Sequence, residues 1–221
     1  MSVQNREVDN RIKIIGGSSL VHLLEPDKKW SCSRKLAYQY LGIKTDVPEV
    51  YSDAMKMGHI LEPEIIEWFN REHNVECYDA GFVNHPKYEF IGGHPDGIFG
   101  DKGIIEVKTA NQWSYWTMIN KGIYHSYQAQ LTLYMGITKR TDGYFILCNS
   151  EDLQYKKIIQ FSFDDAFYQY IVDTILEFVD QLTIDNIPDR TGKRKNGLQN
   201  ICSTCEFVEV CSPKCCSKKD E

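Results

Sequence analysis

The spacing of apolar and polar positions changes several times along the chain, and each change marks an element. Over residues 53 to about 72 an inward stripe of Met57 or Gly58, Leu61, Ile65, Trp68 and Phe69 recurs at helical spacing, with Asp53 placed to cap it. An arm and a short helix are expected in residues 1–30. A further helix is predicted over 31–41, with Leu36, Tyr40 and Leu41 on one side. After the long helix the period falls to that of strands. Segments 75–83, 90–99 and 103–108 are short and bounded by Gly, Pro, Asn and Asp, as in a meander. Helices are predicted at 111–120 and 124–136. Strands follow at 143–148 and 155–163, where Ile158 and Ile159 supply β propensity. A last helix runs from a cap at Asp164 or Asp165 to about 185, and a basic loop with Pro188 and Gly192 leads into a cysteine-rich tail. This order predicts one α/β domain with helices against a mixed sheet.

Composition narrows the classes. With 221 residues, 42% hydrophobic and 25% charged, the chain can build one sizeable core and is not a disordered polymer. No apolar run approaches the ~20 residues of a membrane span, and residues 1–13 are too polar for a secretory signal. A cytoplasmic protein is therefore expected, with no membrane partner. The net charge of −6 does not advertise a nucleic-acid binder, but whole-chain charge is a weak veto because basic residues can cluster. Two clusters are present: Lys28, Lys29, Arg34 and Lys35, and Arg190, Lys193, Arg194 and Lys195. Ordinary solvated faces produce such clusters too.

The chemistry concentrates in His94-Pro95-Asp96-Gly97 and Ile105-Glu106-Val107-Lys108. Glu106 and Lys108 are two apart on a strand, so both point to one face, with Ile105 and Val107 turned the other way. With Asp96 at a turn or strand end, two carboxylates and an ammonium gather there. Hard Mg2+ or Mn2+ takes carboxylate oxygens, and such an ion promotes phosphodiester hydrolysis. The lysine can orient water or neutralise the transition state, and burial can lower its pKa. Taken alone, a surface hairpin with a salt bridge gives the same letters. Glu62 adds weight: on its helix it shares a stripe with Ile65, Ile66 and Phe69, and a carboxylate on an apolar stripe needs a partner. His59, one turn earlier, is a second candidate ligand. Glu64, Glu67 and Arg71 take the wetter side, where Glu67 and Arg71 can pair. Gln130 and Tyr134, four apart on a later helix with Tyr127 beside them, can position a phosphate or the lysine.

Together Gly58-x-x-x-Glu62, Pro95-Asp96, Glu106-x-Lys108 and Gln130-x-x-x-Tyr134 resemble the RecB-type branch of the PD-(D/E)XK nucleases and the YqaJ-type phage recombination exonucleases, over roughly residues 30 to 211. The resemblance implies a restriction-endonuclease-like mixed sheet flanked by helices. It implies Asp96 and Glu106 as metal ligands assisted by the Val107 carbonyl, Glu62 as the helix-borne ligand, Lys108 as the catalytic lysine, and Gln130 and Tyr134 in support. Many iron–sulfur members carry histidine where Glu62 stands, which leaves His59 and Glu62 as alternatives and favours the phage-exonuclease version.

Eight cysteines in a cytosolic chain do not make a disulfide framework. Cys77 and Cys148 fall in predicted strands and read as buried small hydrophobes. Cys202, Cys205, Cys211, Cys215 and Cys216 crowd the end, and a terminal crowd reads as metal ligation. Four thiolates suit zinc or an iron–sulfur cluster. The Cys202-x2-Cys205-x5-Cys211 tail with an early Cys32-x-Arg34-Lys35 helix resembles the CRISPR-associated iron–sulfur exonucleases and the AddB nuclease domain. That resemblance implies a 4Fe–4S cluster held by Cys32, Cys202, Cys205 and Cys211, with zinc as the alternative. Cys215 and Cys216 are read as spare. The cluster's expected role is structural: it would join the N- and C-terminal segments, where closing a long loop stabilises most.

The resulting expectation is a single nuclease domain over 1–221, with its catalytic core at about 53–185 and cluster-binding segments at 30–42 and 198–216. Its expected activity is metal-dependent DNA exonuclease or end-processing hydrolysis. The family resemblance implies DNA ends or single strands as substrate, 5′-phosphate products and 5′-to-3′ polarity. It also allows a homo-oligomer, and recombination or CRISPR-adaptation partners. The rival expectation is a non-catalytic DNA-binding or assembly subunit that keeps the fold. A zinc-stabilised interaction protein accounts for the cysteines but not for the centre of the chain. Trp30, Trp113, Trp116 and Tyr115 can stack on single-stranded bases, but core packing is the preferred reading.

Overall fold

The computed structural model describes residues 14–28, 30–48, 52–189 and 201–211. Two helices open the fold, α1 (Val21–Leu24) and α2 (Ser33–Tyr40), followed by the long α3 (Asp53–His73). Ser52, not Asp53, caps α3: its side chain accepts from the Met55 N–H, and Asp53 sits in the first turn, where a carboxylate suits the helix dipole. Asn74 closes α3 in the left-handed conformation (φ 50°).

Two short strands, β1 (Val83–Asn84) and β2 (Gly92–Gly93), pair antiparallel apart from the main sheet. That sheet has the order β3 (Gly97–Phe99), β4 (Gly103–Ala110), β5 (Asp142–Asn149) and β6 (Lys156–Ser162). Its outer pairs are antiparallel, while β4 and β5 run parallel. A parallel pair needs a crossover, supplied here by α4 (Gln112–Lys121) and α5 (His125–Thr138). The expected mixed sheet flanked by helices is what forms.

The sheet is covered on both faces, which explains its apolar central strands. Ile65 and Phe69 of α3 pack with Ile105, Val107, Ile146 and Cys148. On the other face Tyr115 and Met118 of α4 and Leu131 and Met135 of α5 pack with Ile104, Phe145 and Leu147. A third cluster joins Ile15, Leu20, Leu36 and Ile91 to α5 and to α6 (Asp165–Gln181), which Asp164 caps.

Several expectations are corrected. Segment 75–83 is mostly irregular; Tyr78 makes one bridge to Ile98, and only Val83 enters a strand. The predicted strand 90–99 is broken at His94-Pro95-Asp96, where proline has no N–H to give to a ladder. The last helix stops at Gln181 rather than near 185. Met57 is 44% exposed and does not belong to the inward stripe of α3. Cys77 is half-buried and lies outside any strand, unlike Cys148. Of the aromatics read as core, only Tyr115 is buried; Trp30, Trp113 and Trp116 are exposed, by 74% in the case of Trp113.

After Ile201–Thr204 the tail forms α7 (Val208–Cys211). There Phe207 packs on Tyr38 and Ile43, so this part of the tail meets α2. Lys29, Cys215, Cys216 and the cluster Arg190, Lys193, Arg194 and Lys195 lie outside the described residues. Among the described residues no helix is long and apolar enough to cross a membrane.

Candidate active site

The site forms where the β3–β4 ladder ends. Gly97 pairs with Ile105 as the last rung, and Pro95 cannot extend it. The next β4 amide, Val107 N–H, donates to Asp96 Oδ2 at 2.6 Å. Strand alternation then sends Glu106 and Lys108 to the α5 side. There Lys108 Nζ donates to Glu106 Oε1 at 2.6 Å and to Gln130 Oε1 at 3.1 Å, and lies 4.6 Å from the centre of the Tyr127 ring. That face is also core, because Ile104 heads the same row. Glu106 is therefore almost wholly buried, at 1% exposure.

Gly58 brings α3 onto this strand. A methyl group there would come within 3.2 Å of Thr109 Oγ1, and one turn later Glu62 reaches the charges of Asp96 and Lys108. The half-buried Glu62 carboxyl is held above its ordinary range by burial and then by Asp96, with His59 and Lys108 opposing. His59 is exposed but close enough to act on both Glu62 and Asp96. Glu67 and Arg71 pair on the wet side as expected, at 3.3 Å.

Electrostatically the site is frustrated. Burial pushes Glu106 up to about 8, with Asp96 adding to the shift and Lys108 opposing it. Asp96 is also raised, chiefly by burial, against the pull of Lys108 and the Val107 N–H. Lys108 runs opposite to the sequence expectation: burial lowers its pKa, but Glu106 and Asp96 outweigh burial and hold it above its ordinary value. It is a fixed cation.

These residues fit a divalent ion. Three carboxylates interact with one another, and Glu106 Oε2 is buried with no hydrogen-bond partner. A buried orphan acceptor is costly unless something binds it. One oxygen each of Asp96 and Glu106 is already held by the protein. Among the described residues, no three His, Cys, Asp or Glu side chains form a ready-made metal-holding group.

Gln130 and Tyr134 lie on the buried face of α5. Glycines let the backbone come up against both: a methyl group on Gly17 would collide with Gln130, and one on Gly93 with the Tyr134 hydroxyl. The Gly17 backbone N–H hydrogen-bonds to Tyr134. Beside Lys108 a small pocket of about 170 Å³ is lined by Ser18, Trp30, Tyr127 and Gln130, among others. The turn at Gly17 was not legible as part of the site. Its only signal was the doublet Gly16-Gly17, ahead of Ser18 and Ser19.

Part of the cysteine tail meets the early cysteine helix at the far end of the chain. Burial raises the Cys205 thiol to about 11, and Cys32 is near enough to add to the shift. Arg34 Nη1 lies 4.0 Å from Cys211 Sγ, and Arg34 Nε donates to the Pro188 carbonyl at 2.6 Å. His22 Nδ1 accepts the Cys32 N–H at 3.0 Å, and its burial brings its pKa down to about 4. Glu206 was missed from sequence because it sits in the spacer between Cys205 and Cys211. It is buried, pairs with Lys35 at 3.0 Å and accepts from Gln39 at 3.0 Å. Its carbonyl accepts from Thr45 Oγ1 at 2.6 Å.

The chain is similar to known proteins in family and in fold. A model of the YqaJ-like viral recombinase domain matches residues 8–141. The uncharacterized protein YqaJ of Bacillus subtilis (strain 168) is 28% identical over 173 residues, 76% of this chain and 53% of that protein; the chain thus spans about half its relative's length. Among solved structures, an alkaline exonuclease from Laribacter hongkongensis aligns over 77% of this chain and 88% of its own, with TM-score 0.64 and 23% identity. A phage related exonuclease from Haemophilus somnus 129PT aligns over 77% and 95%, with TM-score 0.58 and 16% identity. Both structural likenesses are likenesses of fold.

Proposed function

The chain belongs to the family of YqaJ-like viral recombinase domains, and from that premise we propose that it is a metal-dependent DNA exonuclease acting at ends or single strands in DNA recombination. The observation that carries the proposal is the buried Glu106 carboxylate with one oxygen on Lys108 and the other unpartnered, beside Asp96 and within reach of Glu62.

In this reading Asp96, Glu106 and the Val107 carbonyl hold Mg2+ or Mn2+. Glu62 is the helix-borne ligand, and His59 tunes it from the exposed side. Such an ion supplies Lewis acidity, making water a better nucleophile at neutral pH and offsetting charge on the phosphoryl oxygens. Lys108, kept protonated by its carboxylate neighbours, neutralises charge that builds on the phosphate; it is not the proton acceptor. Gln130 fixes the lysine, Tyr127 gives its cation an aromatic face, and Tyr134 holds the Gly17 turn in place. The complete set of Asp96, Glu106 and Lys108, held together in one site, supports an exonuclease rather than a non-catalytic assembly subunit, which has no need of all three. The family favours recombination over CRISPR adaptation, and a cytoplasmic site of action suits both.

We also propose that Cys32, Cys202, Cys205 and Cys211 hold a 4Fe–4S cluster as a structural staple. Its support is the contact between the tail and α2, with Arg34 and Lys35 placed to offset an anionic cluster. Zinc on the same thiols is the alternative. End-labelled linear DNA with Mg2+ or Mn2+ tests the enzymatic reading: degradation should disappear in Asp96→Ala and Lys108→Ala. Parent-like cutting by both variants would overturn it. Separate 5′ and 3′ labels read the polarity.

A further inference from the structure

The outward face of α4 is unlike the wet face of an ordinary surface helix. Trp113, Trp116, Thr117 and Asn120 fall at spacings of three, four and seven, one stripe of the helix. Tyr115 and Met118 take the opposite side, into the core. Trp113 is 74% exposed and Trp116 38% exposed. They line a groove of about 680 Å³, whose remaining walls are amide and hydroxyl side chains with one lysine, Lys121, and one carboxylate, Glu151.

The groove adjoins strand β4, and both its walls are tied to the end of that strand. Asn111, on its rim, directly follows Ala110, the last residue of β4, and caps α4 by accepting from the Ser114 N–H. At most five residue steps separate Lys108 from Trp113, about 18 Å of extended chain. The opposite wall is pinned to the same strand end, since the Ser150 N–H donates to the Ala110 carbonyl at 2.8 Å. Trp116 is held edge-on between Tyr115 (5.2 Å) and Tyr155 (5.5 Å), so its ring is placed before any ligand arrives.

We propose that this groove binds single-stranded DNA by stacking two successive bases on Trp113 and Trp116, beside the scissile phosphate. The inference rests on the nuclease reading and names the strand form its site engages. Flat aromatic faces accept any base, and neighbouring amides can meet base edges. One lysine against one glutamate leaves the groove without net charge, so it takes bases while the phosphates stay outside. A protein helix would instead need an aliphatic stripe, which these polar walls do not offer.

Anisotropy of a labelled single-stranded oligonucleotide, in EDTA so that nothing is cut, tests the proposal. Trp113→Ala/Trp116→Ala should weaken binding by about 30-fold or more, at the lower end of what two stacked bases contribute. Trp113→Phe/Trp116→Phe should retain most of the affinity and keeps the ring contacts to Tyr115 and Tyr155, which separates stacking from misfolding. Parent-like binding by the alanine pair overturns the proposal, as does a parent that binds no oligonucleotide. It is equally overturned if the pair dissolves a self-associated form while DNA binding stays unchanged. Asp96→Ala separates the two readings. If the nuclease reading fails, the parent cuts nothing, yet the tryptophan effect on binding persists. If only the groove reading fails, cutting still depends on Asp96 while the tryptophans do not matter.

Discussion

The raised pKa of Glu106 turns pH into a probe of metal binding. An ion needs the ionised carboxylate, and burial with Asp96 nearby pushes the proton-loss midpoint to about 8. At pH 8.5 roughly three quarters of Glu106 is ionised; at pH 6.5 it is roughly one part in thirty. Affinity for Mn2+ should therefore fall about 25-fold between these values, or roughly 2 kcal/mol. Asp96 and Glu62, raised as well, steepen the fall further toward acid. The sign for the metal-free chain is opposite. A carboxyl whose folded pKa lies above its unfolded value stabilises the fold below about 4.5, and that contribution is lost as pH rises through about 8, at up to roughly 1.4 kcal/mol per pH unit. Metal-free protein should thus lose stability over the range in which it gains metal affinity. Calorimetric titration of Mn2+ in two buffers of different ionisation enthalpy reads both affinity and protons released. Close to one proton per ion is expected at pH 6.5 and fewer at pH 8.5. Glu106→Gln should bind more weakly and with a flatter pH profile. Equal affinity at both pH values with no proton release would refute the account of a buried, protonated Glu106.

Three further outcomes follow from other contacts. Lys108→Ala should reduce DNA hydrolysis by about 10²–10³-fold, and Lys108→Arg should not recover it, because a planar fork cannot replace the point charge held between Glu106 and Gln130; single-turnover rates decide this. Glu206→Ala removes a buried carboxylate that pairs with Lys35 and accepts from Gln39. It should cost about 3 kcal/mol, or about 6–12 °C in Tm for a chain of this size, with faster proteolysis of the tail; an unchanged melting curve and digestion pattern would count against Glu206 tying the tail to α2. Anaerobically purified protein should be brown, with iron and sulfide in nearly equal amounts, and Cys205→Ala should lose colour and stability together. Stoichiometric zinc, or a stable coloured Cys205→Ala protein, would show the ligand set to be wrong.

Long periodic helices were legible in the sequence because their stripes span many turns: α3 ends within a residue or so of its predicted bounds, and α6 starts at one of its two predicted caps. Strands β2 and β3 both fall inside the predicted segment 90–99, but its division between two ladders was not legible; Gly92 fits β2 because a side chain there would strike the Val83 carbonyl. The alternation of Glu106 and Lys108 was readable, but the direction of the lysine's shift was not, because it depends on how many carboxylates a fold brings within reach. The tryptophans were misjudged for a related reason. Hydrophobicity predicts burial only on average, and a binding surface is where the average fails.

The site's placement follows from what a sheet does at the end of a ladder. Wherever β3 stopped, a β4 amide had to lose its rung, and a buried orphan N–H needs an acceptor. Pro95 stops the strand and Asp96 supplies the acceptor to Val107 N–H. The residue that ends the pairing thus delivers a carboxylate beside Glu106, at no cost in unsatisfied backbone. What the protein leaves unsatisfied is a side-chain oxygen, Glu106 Oε2, between repelling carboxylates. A purely structural core would replace that glutamate with glutamine or an apolar residue. Its presence over a packed sheet, braced by glycines that admit Gln130 and Tyr134, is how a fold looks when it holds charge for something that arrives later.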